Sequence, residues 1–251
     1  MNLDLEGKVV LVTGGSKGIG QGIAHAFLEE GANVGIVGRN LADLEAAQKD
    51  GIEIFQGDVT NADDREEVMN EFVTKFGTID VLVNNAGGSN GSSVMETSIE
   101  QFEEAMHLNF LSAVDLSKRA AAIMSGKSDG GAIINISSIF GRESGGKPTY
   151  NASKAAMISF TKSFGDEMIK KGIRVNGVAP GSILHETGNW KKRLEQDPDK
   201  INSFVEEHIS AGRFGTVEEV ANVVVFLASK KSSWVVGSTL NVDGGQSYSN
   251  F

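Results

Sequence analysis

Short runs of apolar, often β-branched residues alternate along the chain with longer stretches in which apolar residues recur every three or four positions. The seven short runs read KVVLVTG (8–14), ANVGIVG (32–38), IEIFQ (52–56), IDVLVNN (79–85), GAIINIS (131–137), GIRVNGVA (172–179) and STLNVDG (238–244). Most of them are apolar on both faces, which is typical of strands that helices cover on both sides. The alternation predicts an α/β fold with one doubly wound, Rossmann-like parallel sheet of about seven strands.

The stretches between the strands have helical spacing and recognisable starts. Apolar residues at helical intervals are Ile99, Phe102, Met106, Phe110 and Ala113. A serine or threonine followed three residues later by Gln or Glu has the spacing of a capping box, as in Ser98 with Gln101 and Thr216 with Glu219. These signals predict helices that begin near residues 99 and 217.

One connection, 182–212, is too long for an ordinary link between a strand and a helix. Its apolar residues fall at helical spacings: Trp190 and Leu194, then Ile201, Phe204, Val205 and Ile209. We therefore predict two short helices that form a small lid after the sixth strand. No repeat, low-complexity tract or interdomain linker interrupts the pattern, so the sequence predicts a single domain over 1–251.

Composition and charge narrow the ligand class. The chain has 251 residues, a formal net charge of −10 and no Cys, so disulfides and cysteine-ligated zinc are excluded. The negative charge disfavours nucleic acid and acidic membrane surfaces as partners. No apolar run approaches the roughly 18 residues of a membrane span, and the first residues lack the pattern of a signal peptide. We expect a cytoplasmic protein that binds a small molecule.

The stretch TGGSKGIG (13–20) follows the first strand and opens a helix. Gly14, Gly18 and Gly20 permit a tight turn, and the free N–H groups at the helix start would face an anionic pyrophosphate. A structural turn without a ligand is the alternative, which the strand–turn–helix context disfavours. The four histidines have no metal-ligand spacing, so we predict no metal site.

The end of the second strand indicates which dinucleotide is bound. An NAD-preferring fold places a carboxylate there to bind the ribose 2′-hydroxyl, whereas this chain reads Gly38-Arg39-Asn40. Arg39 and Lys17 could instead bind a 2′-phosphate, so NADP(H) is favoured over NAD(H). Solvated surface side chains are the alternative for both. Asp58 could accept a hydrogen bond from the adenine amino group, although a turn role is common for Asp.

YNASK (150–154) places Tyr150 and Lys154 four residues apart, on one face of a helix. A free phenol with a pKa of about 10 holds its proton too tightly for efficient exchange near neutrality, and a neighbouring ammonium would lower that pKa. We therefore expect Tyr150 to be a general acid in reduction and a base in oxidation. The alternative is a surface tyrosine beside a solvated lysine.

Two further polar residues are candidates for the same site. Ser138 ends the fifth strand, at the sheet edge where doubly wound folds bind ligands, and would donate a hydrogen bond to a substrate carbonyl. Ser137 competes for this role, but strand alternation turns the two hydroxyls to opposite faces. Asn109 lies on the apolar helical stripe, where it either holds a water that relays protons to Lys154 or bonds neighbouring backbone.

Taken in order, these motifs resemble the short-chain dehydrogenase/reductase family over essentially the whole chain. The residues that carry the resemblance are TGGSKGIG (13–20), GDV (57–59), NNAG (84–87), LNF around Asn109, ISS (136–138), YNASK (150–154) and PGSI (180–183). The resemblance is closest to 3-oxoacyl-(acyl-carrier-protein) reductases and to glucose or alcohol dehydrogenases. GSNGSS after NNAG and a longer lid segment depart from the acyl reductases.

The resemblance implies a nicotinamide cofactor, a catalytic set of Asn109, Ser138, Tyr150 and Lys154, and a homotetramer or homodimer. The residues it implies for cofactor binding are Gly14, Ser16, Lys17, Gly18, Ile19, Gly20, Arg39, Asp58, Val59, Asn85, Ala86, Gly87, Tyr150, Lys154, Pro180, Gly181 and Ile183. Lys154 would also hold the nicotinamide ribose, and the Ile183 backbone would lie near the carboxamide.

The leading hypothesis is an NADP(H)-dependent oxidoreductase that interconverts a carbonyl and a secondary alcohol. A 3-oxoacyl thioester and a free ketone, sugar or alcohol both remain open as substrates. The net charge argues against an acidic carrier protein, while Lys191, Lys192 and Arg193 offer a local basic patch. A sugar or alcohol dehydrogenase that uses NAD(H), or a dinucleotide sensor without turnover, is the alternative.

Overall fold

The computed structural model describes residues 2–48 and 51–250 and contains one parallel sheet of seven strands. The strands are β1 Val9–Thr13, β2 Asn33–Gly38, β3 Ile52–Gln56, β4 Val81–Asn84, β5 Gly131–Ile136, β6 Ile173–Pro180 and β7 Thr239–Val242. Their order across the sheet is β3-β2-β1-β4-β5-β6-β7. All seven predicted strands are therefore confirmed, and so is the doubly wound fold.

Nine α-helices in the described part of the chain surround the sheet. They are α1 Gly18–Glu29, α2 Leu41–Ala47, α3 Ala62–Phe76, α4 Ile99–Met106, α5 Ser112–Met124, α6 Pro148–Met168, α7 Asn189–Gln196, α8 Pro198–His208 and α9 Val217–Ala228. Both predicted capping boxes are present, at the starts of α4 and α9. None of the described helices is long and apolar enough to cross a membrane.

The core lies in two layers, one on each face of the sheet. On one face, Ile23 and Phe27 of α1 pack with Val220 and Val224 of α9. On the other face, α3, α5 and α6 pack their apolar side chains against the sheet, with Phe72 fully buried. Strands buried on both sides need continuous apolar sequence, which is why the sequence runs lack the strict alternation of a half-exposed strand.

The strand order reverses between β1 and β4, because β2 and β3 lie on one side of β1 and the later strands on the other. At such a switch point the loops leaving two neighbouring strands diverge and open a crevice at the carboxyl edge of the sheet. The glycine turn after β1 and the NNAG segment after β4 flank this crevice. The strand order alone thus locates the candidate site at the carboxyl edge of the sheet between β1 and β4.

Helical hydrogen bonding changes between α4 and α5. Residues His107–Leu111 form a π-helical segment in the middle of what the sequence predicts as one helix, and Asn109 is buried inside it. An extra residue in a helical turn rotates the following side chains and occurs often at functional sites. The predicted stripe from Ile99 to Ala113 therefore spans two α-helices and this segment.

The predicted lid segment contains the two expected short helices, α7 and α8, which follow β6. The Trp190 ring stacks on Phe204 with 4.8 Å between centroids and lies 5.2 Å from the Phe214 ring. Ile201, Val205 and Ile209 are buried. Aromatic packing therefore holds the two helices together, and the opening of this segment as a lid stays a prediction.

Candidate active site

The glycine turn after β1 is held in a conformation that excludes side chains. Gly14 and Gly18 have φ values of +63° and +53°, in the left-handed region that favours glycine. A Cβ on Gly20 would lie 2.2 Å from the Gly14 carbonyl oxygen. The chain thus turns tightly enough to present the first N–H groups of α1 to the crevice, as an anion-binding turn requires.

The end of β4 is tied to this turn. Thr13 Oγ1 accepts hydrogen bonds from the backbone N–H groups of Asn85 and Ala86, both at 3.0 Å. The Asn85 amide donates in turn to the carbonyl oxygens of Thr13 and Gly14, at 3.0 and 3.1 Å. Thus two of the residues that resemblance implies for cofactor binding, Asn85 and Ala86, fix the shape of the glycine turn.

A cavity of about 470 Å³ lies at the turn and extends to the ends of β2 and β3. Predicted residues line it from Gly14 to Gly20, together with Arg39, Asp58, Val59, Asn85, Ala86 and Gly87. Arg39 and Lys17 both reach it, but neither is a lone cation. Lys17 Nζ lies 2.7 Å from Asp43 Oδ2, and the Arg39 guanidinium lies 3.8 Å from Asp58.

Asp43 was not among the predicted site residues, yet its carboxylate lies at the cavity near the end of β2. Asp43 lies in the first turn of α2, where Asn40 caps the helix and brings the carboxylate back toward the turn. Asp58 makes a local turn, because its Oδ1 accepts from both the backbone N–H and the hydroxyl of Thr60. The turn role weighed for Asp58 is therefore present in the structure.

Lys154 is buried in the protein interior, with 2% of its surface exposed. Its Nζ donates a hydrogen bond of 2.7 Å to the carbonyl oxygen of Ile136, the last residue of β5. Nζ also lies 5.5 Å from the centroid of the Tyr150 ring. The pair that the sequence placed on one helical face is thus brought together at the end of the sheet, on α6.

Tyr150 and Ser138 meet at the same place. Both side chains line one cavity, and the Ser138 hydroxyl is close enough to the phenol to lower its pKa. Ser138 follows β5 by two residues, and its Oγ accepts from the Phe140 N–H at 3.2 Å, which fixes the hydroxyl at the start of a short 3₁₀ turn. Ser137 points the other way and donates to the Lys154 carbonyl oxygen. The geometry therefore favours Ser138 over Ser137, as expected from strand alternation.

Burial governs the pKa values of the tyrosine and the lysine in the free protein. It raises the pKa of Tyr150 above its ordinary value of 10, which the nearby Ser138 hydroxyl offsets only in part. It lowers the pKa of Lys154 from 10.5 to about 8. The expectation that the lysine depresses the tyrosine pKa does not hold here, because desolvation disfavours both charged forms.

Asn109 uses its side chain to bind backbone. Its Nδ2 donates to the carbonyl oxygens of Gly88 and Ala105, and its Oδ1 accepts from the Gly88 N–H, all at 2.9 Å. Both amide donors are thereby occupied, so the structural alternative weighed for this residue is realised. Asn109 remains close to the site, since a Cβ on Gly87 would lie 2.8 Å from its Oδ1 and 3.4 Å from Lys154 Nζ.

The PGSI segment leaves β6 and is pinned on both sides. Gly181 N–H donates to the Val242 carbonyl of β7, and Ser182 N–H donates to Gln246 Oε1 at 2.7 Å. Ile183 forms an isolated parallel bridge with Gly215. Pro180, Gly181 and Ile183 consequently line a second cavity of about 1120 Å³ that also contains Ser138, Tyr150 and Lys154.

His185 lies in this region but was not among the predicted site residues. It lines both cavities, and its Nδ1 lies 3.2 Å from the Thr187 hydroxyl. A Cβ on Gly18 would lie 2.6 Å from the imidazole ring, and one on Gly188 2.8 Å from it. The ring is thus wedged between the glycine turn and the start of α7, a contact that sequence spacing could not reveal.

Comparison with known proteins agrees with this architecture. A family profile described as enoyl-(acyl carrier protein) reductase matches residues 14–247. A 3-oxoacyl-[acyl-carrier-protein] reductase from Chlamydia muridarum is 41% identical over 253 residues, covering 98% of this chain and 99% of the relative. One from Thermotoga maritima is 37% identical over 248 residues, covering 96% and 98%.

A solved structure has closely the same fold as this chain. L-sorbose reductase from Gluconobacter frateurii, in complex with NADPH and L-sorbose, superposes with a TM-score of 0.93 at 34% identity and covers 99% of this chain and 100% of that one. Fold, motifs and relatives agree over nearly the full length. The chain belongs to the short-chain dehydrogenase/reductase family, and it is an oxidoreductase.

Lys154 is expected to cost folding stability at neutral pH. A folded-state pKa of about 8 against 10.5 corresponds to a penalty on the order of 3 kcal/mol, present in full below pH 8 and lost as the pH rises toward 10.5. Lys154→Met removes this penalty, so its free energy of unfolding relative to wild type should fall by about 2 kcal/mol between pH 7 and pH 10.

Urea unfolding at the two pH values measures this difference. Loss of the hydrogen bond to Ile136 affects both pH values equally and cancels. Lys162→Met, at an exposed lysine of the same helix, is the control for removing a lysine. An unfolding free energy of Lys154→Met that stays at the same distance from wild type at both pH values would refute the buried charge.

Proposed function

We propose that this protein is an NADP(H)-dependent oxidoreductase that interconverts a carbonyl and a secondary alcohol, with Tyr150 as the general acid and base. The observation that carries the proposal is that Tyr150, Ser138 and the buried Lys154 line one cavity, at the edge of a crevice that opens from a glycine turn. Tyr150 and Ser138 thus present two hydroxyls to one cavity.

The crevice suits a dinucleotide. Glycines at 14, 18 and 20 leave the α1 N-terminus bare where a pyrophosphate would lie, and the 470 Å³ cavity beyond it continues to Arg39 and Asp58 for an adenosine. Gly87, Pro180, Gly181 and Ile183 line the other end beside Tyr150. When bound there, NADPH supplies a hydride for the carbonyl carbon.

The side chains supply the other half of the reaction. In reduction the O–H bond of Tyr150 breaks as its proton passes to the carbonyl oxygen, and a phenolate remains. Ser138 donates a hydrogen bond to the same oxygen and holds it within reach of the phenol. The Lys154 ammonium, below its pKa of about 8, stabilises the phenolate. Oxidation of an alcohol runs the same proton transfer in reverse.

Three observations support NADP(H) over NAD(H). Arg39 and Lys17 both line the adenosine end of the crevice. Their ion pairs with Asp58 and Asp43 are partly exposed, so a 2′-phosphate can compete for the cations at modest cost. The L-sorbose reductase that superposes on this chain was solved with NADPH.

Two classes of substrate are supported. The curated relatives are 3-oxoacyl-[acyl-carrier-protein] reductases, which favours a 3-oxoacyl thioester. The structural relative binds L-sorbose, which favours a free ketone or sugar. A dinucleotide sensor is the less supported alternative, because sensing alone does not require a hydroxyl pair with a buried lysine behind it.

Tyr150→Phe separates enzyme from sensor. The variant loses the transferable proton but keeps the ring, so ketone reduction should fall by about 10² to 10⁴-fold while NADPH still binds. Turnover is followed by NADPH absorbance and binding by nicotinamide fluorescence. Tyr248→Phe, at the only other tyrosine of the chain, is the control and should keep full activity. Full turnover by Tyr150→Phe would refute the proposed acid.

Arg39→Ala and Asp43→Asn test the cofactor preference in opposite directions. Loss of the guanidinium should weaken NADPH binding by about tenfold, or 1.4 kcal/mol. Loss of the Asp43 charge frees Lys17 and should tighten NADPH binding by about threefold. NADH lacks the 2′-phosphate and is the internal control in both titrations. Equal changes in the affinities for NADPH and NADH would show that these residues do not recognise the 2′-phosphate.

We also propose that the chain assembles with copies of itself, as a tetramer or a dimer. Large apolar side chains lie open on the surface, among them Met95 and Trp234 at 94% and 98% exposure. Contacts between copies of the chain would remove such side chains from water. Light scattering should give two or four times the 26.6 kDa chain mass. A 26.6 kDa particle at micromolar concentration would contradict this.

A further inference from the structure

The 1120 Å³ cavity beside Tyr150 differs in charge from the rest of the protein. The chain carries a net charge of −10 with 33 Asp and Glu residues. None of the described residues that line this cavity is an Asp or a Glu. Four of them are Lys or Arg: Lys147, Lys154, Lys192 and Arg193. The adenosine end of the crevice, by contrast, is lined by Asp43 and Asp58 as well as by cations.

Three of the four cations form no ion pair with the described carboxylates. Lys154 is committed to the Ile136 carbonyl. Lys147, Lys192 and Arg193 have no carboxylate within 4.0 Å among the described residues. A positively charged group without a counterion makes the local electrostatic potential more positive. Several such groups around one cavity favour the binding of an anion there.

The neighbouring Lys191 shows that the lack of ion pairs is limited to the cations that line the cavity and is not common to all cations of α7. Lys191 Nζ lies 3.8 Å from Glu186 and 3.6 Å from Glu195, and Lys191 does not line the cavity. Lys192 and Arg193 lie on the cavity side of α7. On α7 the half-buried Lys191 is thus ion-paired, whereas the exposed Lys192 and Arg193, which line the cavity, are not paired with any described carboxylate.

The cations have fixed places relative to the reacting hydroxyls. Lys147 is the N-cap residue of α6, three residues before Tyr150 on the same chain segment. Arg193 packs its guanidinium over the Trp190 ring at 5.1 Å, and that ring is in turn stacked on Phe204. Phe140, Trp190 and Phe204 give the cavity apolar walls between these cations and Ser138.

We propose that the substrate carries an anionic group, a carboxylate or a phosphate, which Lys147, Lys192 and Arg193 bind while its carbonyl lies against Tyr150 and Ser138. This inference rests on the proposed function and narrows it to anionic ketones and the corresponding alcohols. A neutral sugar would leave all three cations without a partner. The apolar walls suit a carbon chain between the carbonyl and the anion.

A matched set of ketones tests this proposal with either source of charge. For carboxylates, 4-oxopentanoate and 5-oxohexanoate are compared with their methyl esters. For phosphates, dihydroxyacetone phosphate is compared with dihydroxyacetone, and acetoacetyl-coenzyme A with the neutral thioester acetoacetyl-N-acetylcysteamine. Each pair keeps the reacting carbonyl and changes the charge. The measurements are kcat/KM with NADPH, and binding of each compound to the NADPH complex by calorimetry.

At least one anionic member should exceed its neutral partner by tenfold or more in kcat/KM and in binding. The ratio should shrink as salt rises from about 0.05 M to about 0.5 M, since the cations lie at the cavity rim where salt screens them. Preference in the carboxylate pairs or in the phosphate pairs identifies the source of the charge. Neutral members equal to or better than their anionic partners in every pair would overturn the proposal.

Variants locate the effect. Lys192→Ala and Arg193→Gln should each reduce the ratio of anionic to neutral substrate by about threefold to tenfold. Lys191→Ala removes the same charge one residue away and should leave the ratio unchanged. An equal loss in Lys191→Ala would assign the preference to general attraction, and it would overturn the assigned site.

Two further outcomes are kept apart. If Lys192→Ala and Arg193→Gln weaken NADPH binding in fluorescence titration as much as they reduce the preference, the cations bind the cofactor and the inference fails. If no ketone is reduced but anionic members still bind the NADPH complex selectively, the charge preference stands and the proposed reaction fails. Reduction of both members at equal rates leaves the reaction intact and overturns the charge preference.

Discussion

The burial of the Lys154 ammonium is the constraint on which the rest of the site depends. A charged group with 2% exposure needs a strong acceptor, and it has one in the carbonyl oxygen of Ile136 at the end of β5. This hydrogen bond fixes α6 against the carboxyl edge of the sheet. It thereby sets the height of Tyr150, one helical turn earlier, above Ser138. The catalytic geometry is thus a consequence of where one strand ends.

The cost of this arrangement appears in the ionisation of both side chains. Desolvation makes the Tyr150 phenolate and the Lys154 ammonium less favourable in the free protein than in water. A tyrosine with a raised pKa stays protonated in the free protein, so the proton for reduction is present but is held more tightly than in a free phenol, and the phenolate needed for oxidation is disfavoured. An oxidised nicotinamide carries a positive charge, so its binding nearby would favour the phenolate and make the reverse reaction possible. The charge state of Tyr150, and with it the favoured direction of the reaction, would thus depend on whether the oxidised cofactor is bound.

Charge also divides the crevice into two ends. At the adenosine end, Asp43 and Asp58 balance Lys17 and Arg39, so an arriving phosphate competes with carboxylates that are already in place. At the other end, Lys147, Lys192 and Arg193 line the cavity and form no ion pair with any described carboxylate. The first arrangement favours an exchangeable cofactor and the second an anionic substrate. Both sit in a chain whose net charge of −10 would otherwise repel either ligand at a distance.

Local signals in the sequence were enough to predict the sheet, its strands, the glycine turn and the two helices of the lid segment. Apolar runs, glycines and caps act through neighbours in the chain, and such effects are visible in the sequence. Three features were not visible. The π-helical segment around Asn109 comes from an extra residue in one turn, and it redirects the amide to the Gly88 and Ala105 carbonyls. Contacts across the fold bring Asp43 to Lys17 and wedge His185 between Gly18 and Gly188.

The pKa of Tyr150 was misjudged for a related reason. The sequence shows that a lysine lies one turn away, but it does not show that both groups are buried, and burial disfavours the charged form of each. Desolvation depends on the packing of α6 against β5 and β6, which no spacing rule contains. The sequence could therefore predict that these residues lie together, while the effect of burial on their pKa values required the structure.

Ultraviolet titration of tyrosinate tests the account most directly, because the chain has only two tyrosines and Tyr248→Phe leaves Tyr150 as the sole signal. In the free protein the tyrosinate band should appear only above pH 10, since burial raises the pKa of Tyr150. Saturation with NADP⁺ should move the band to lower pH. A phenol that ionises at or below pH 10 in the free protein would contradict the account of burial, and a band that NADP⁺ leaves in place would contradict the proposed effect of the cofactor on the Tyr150 phenolate.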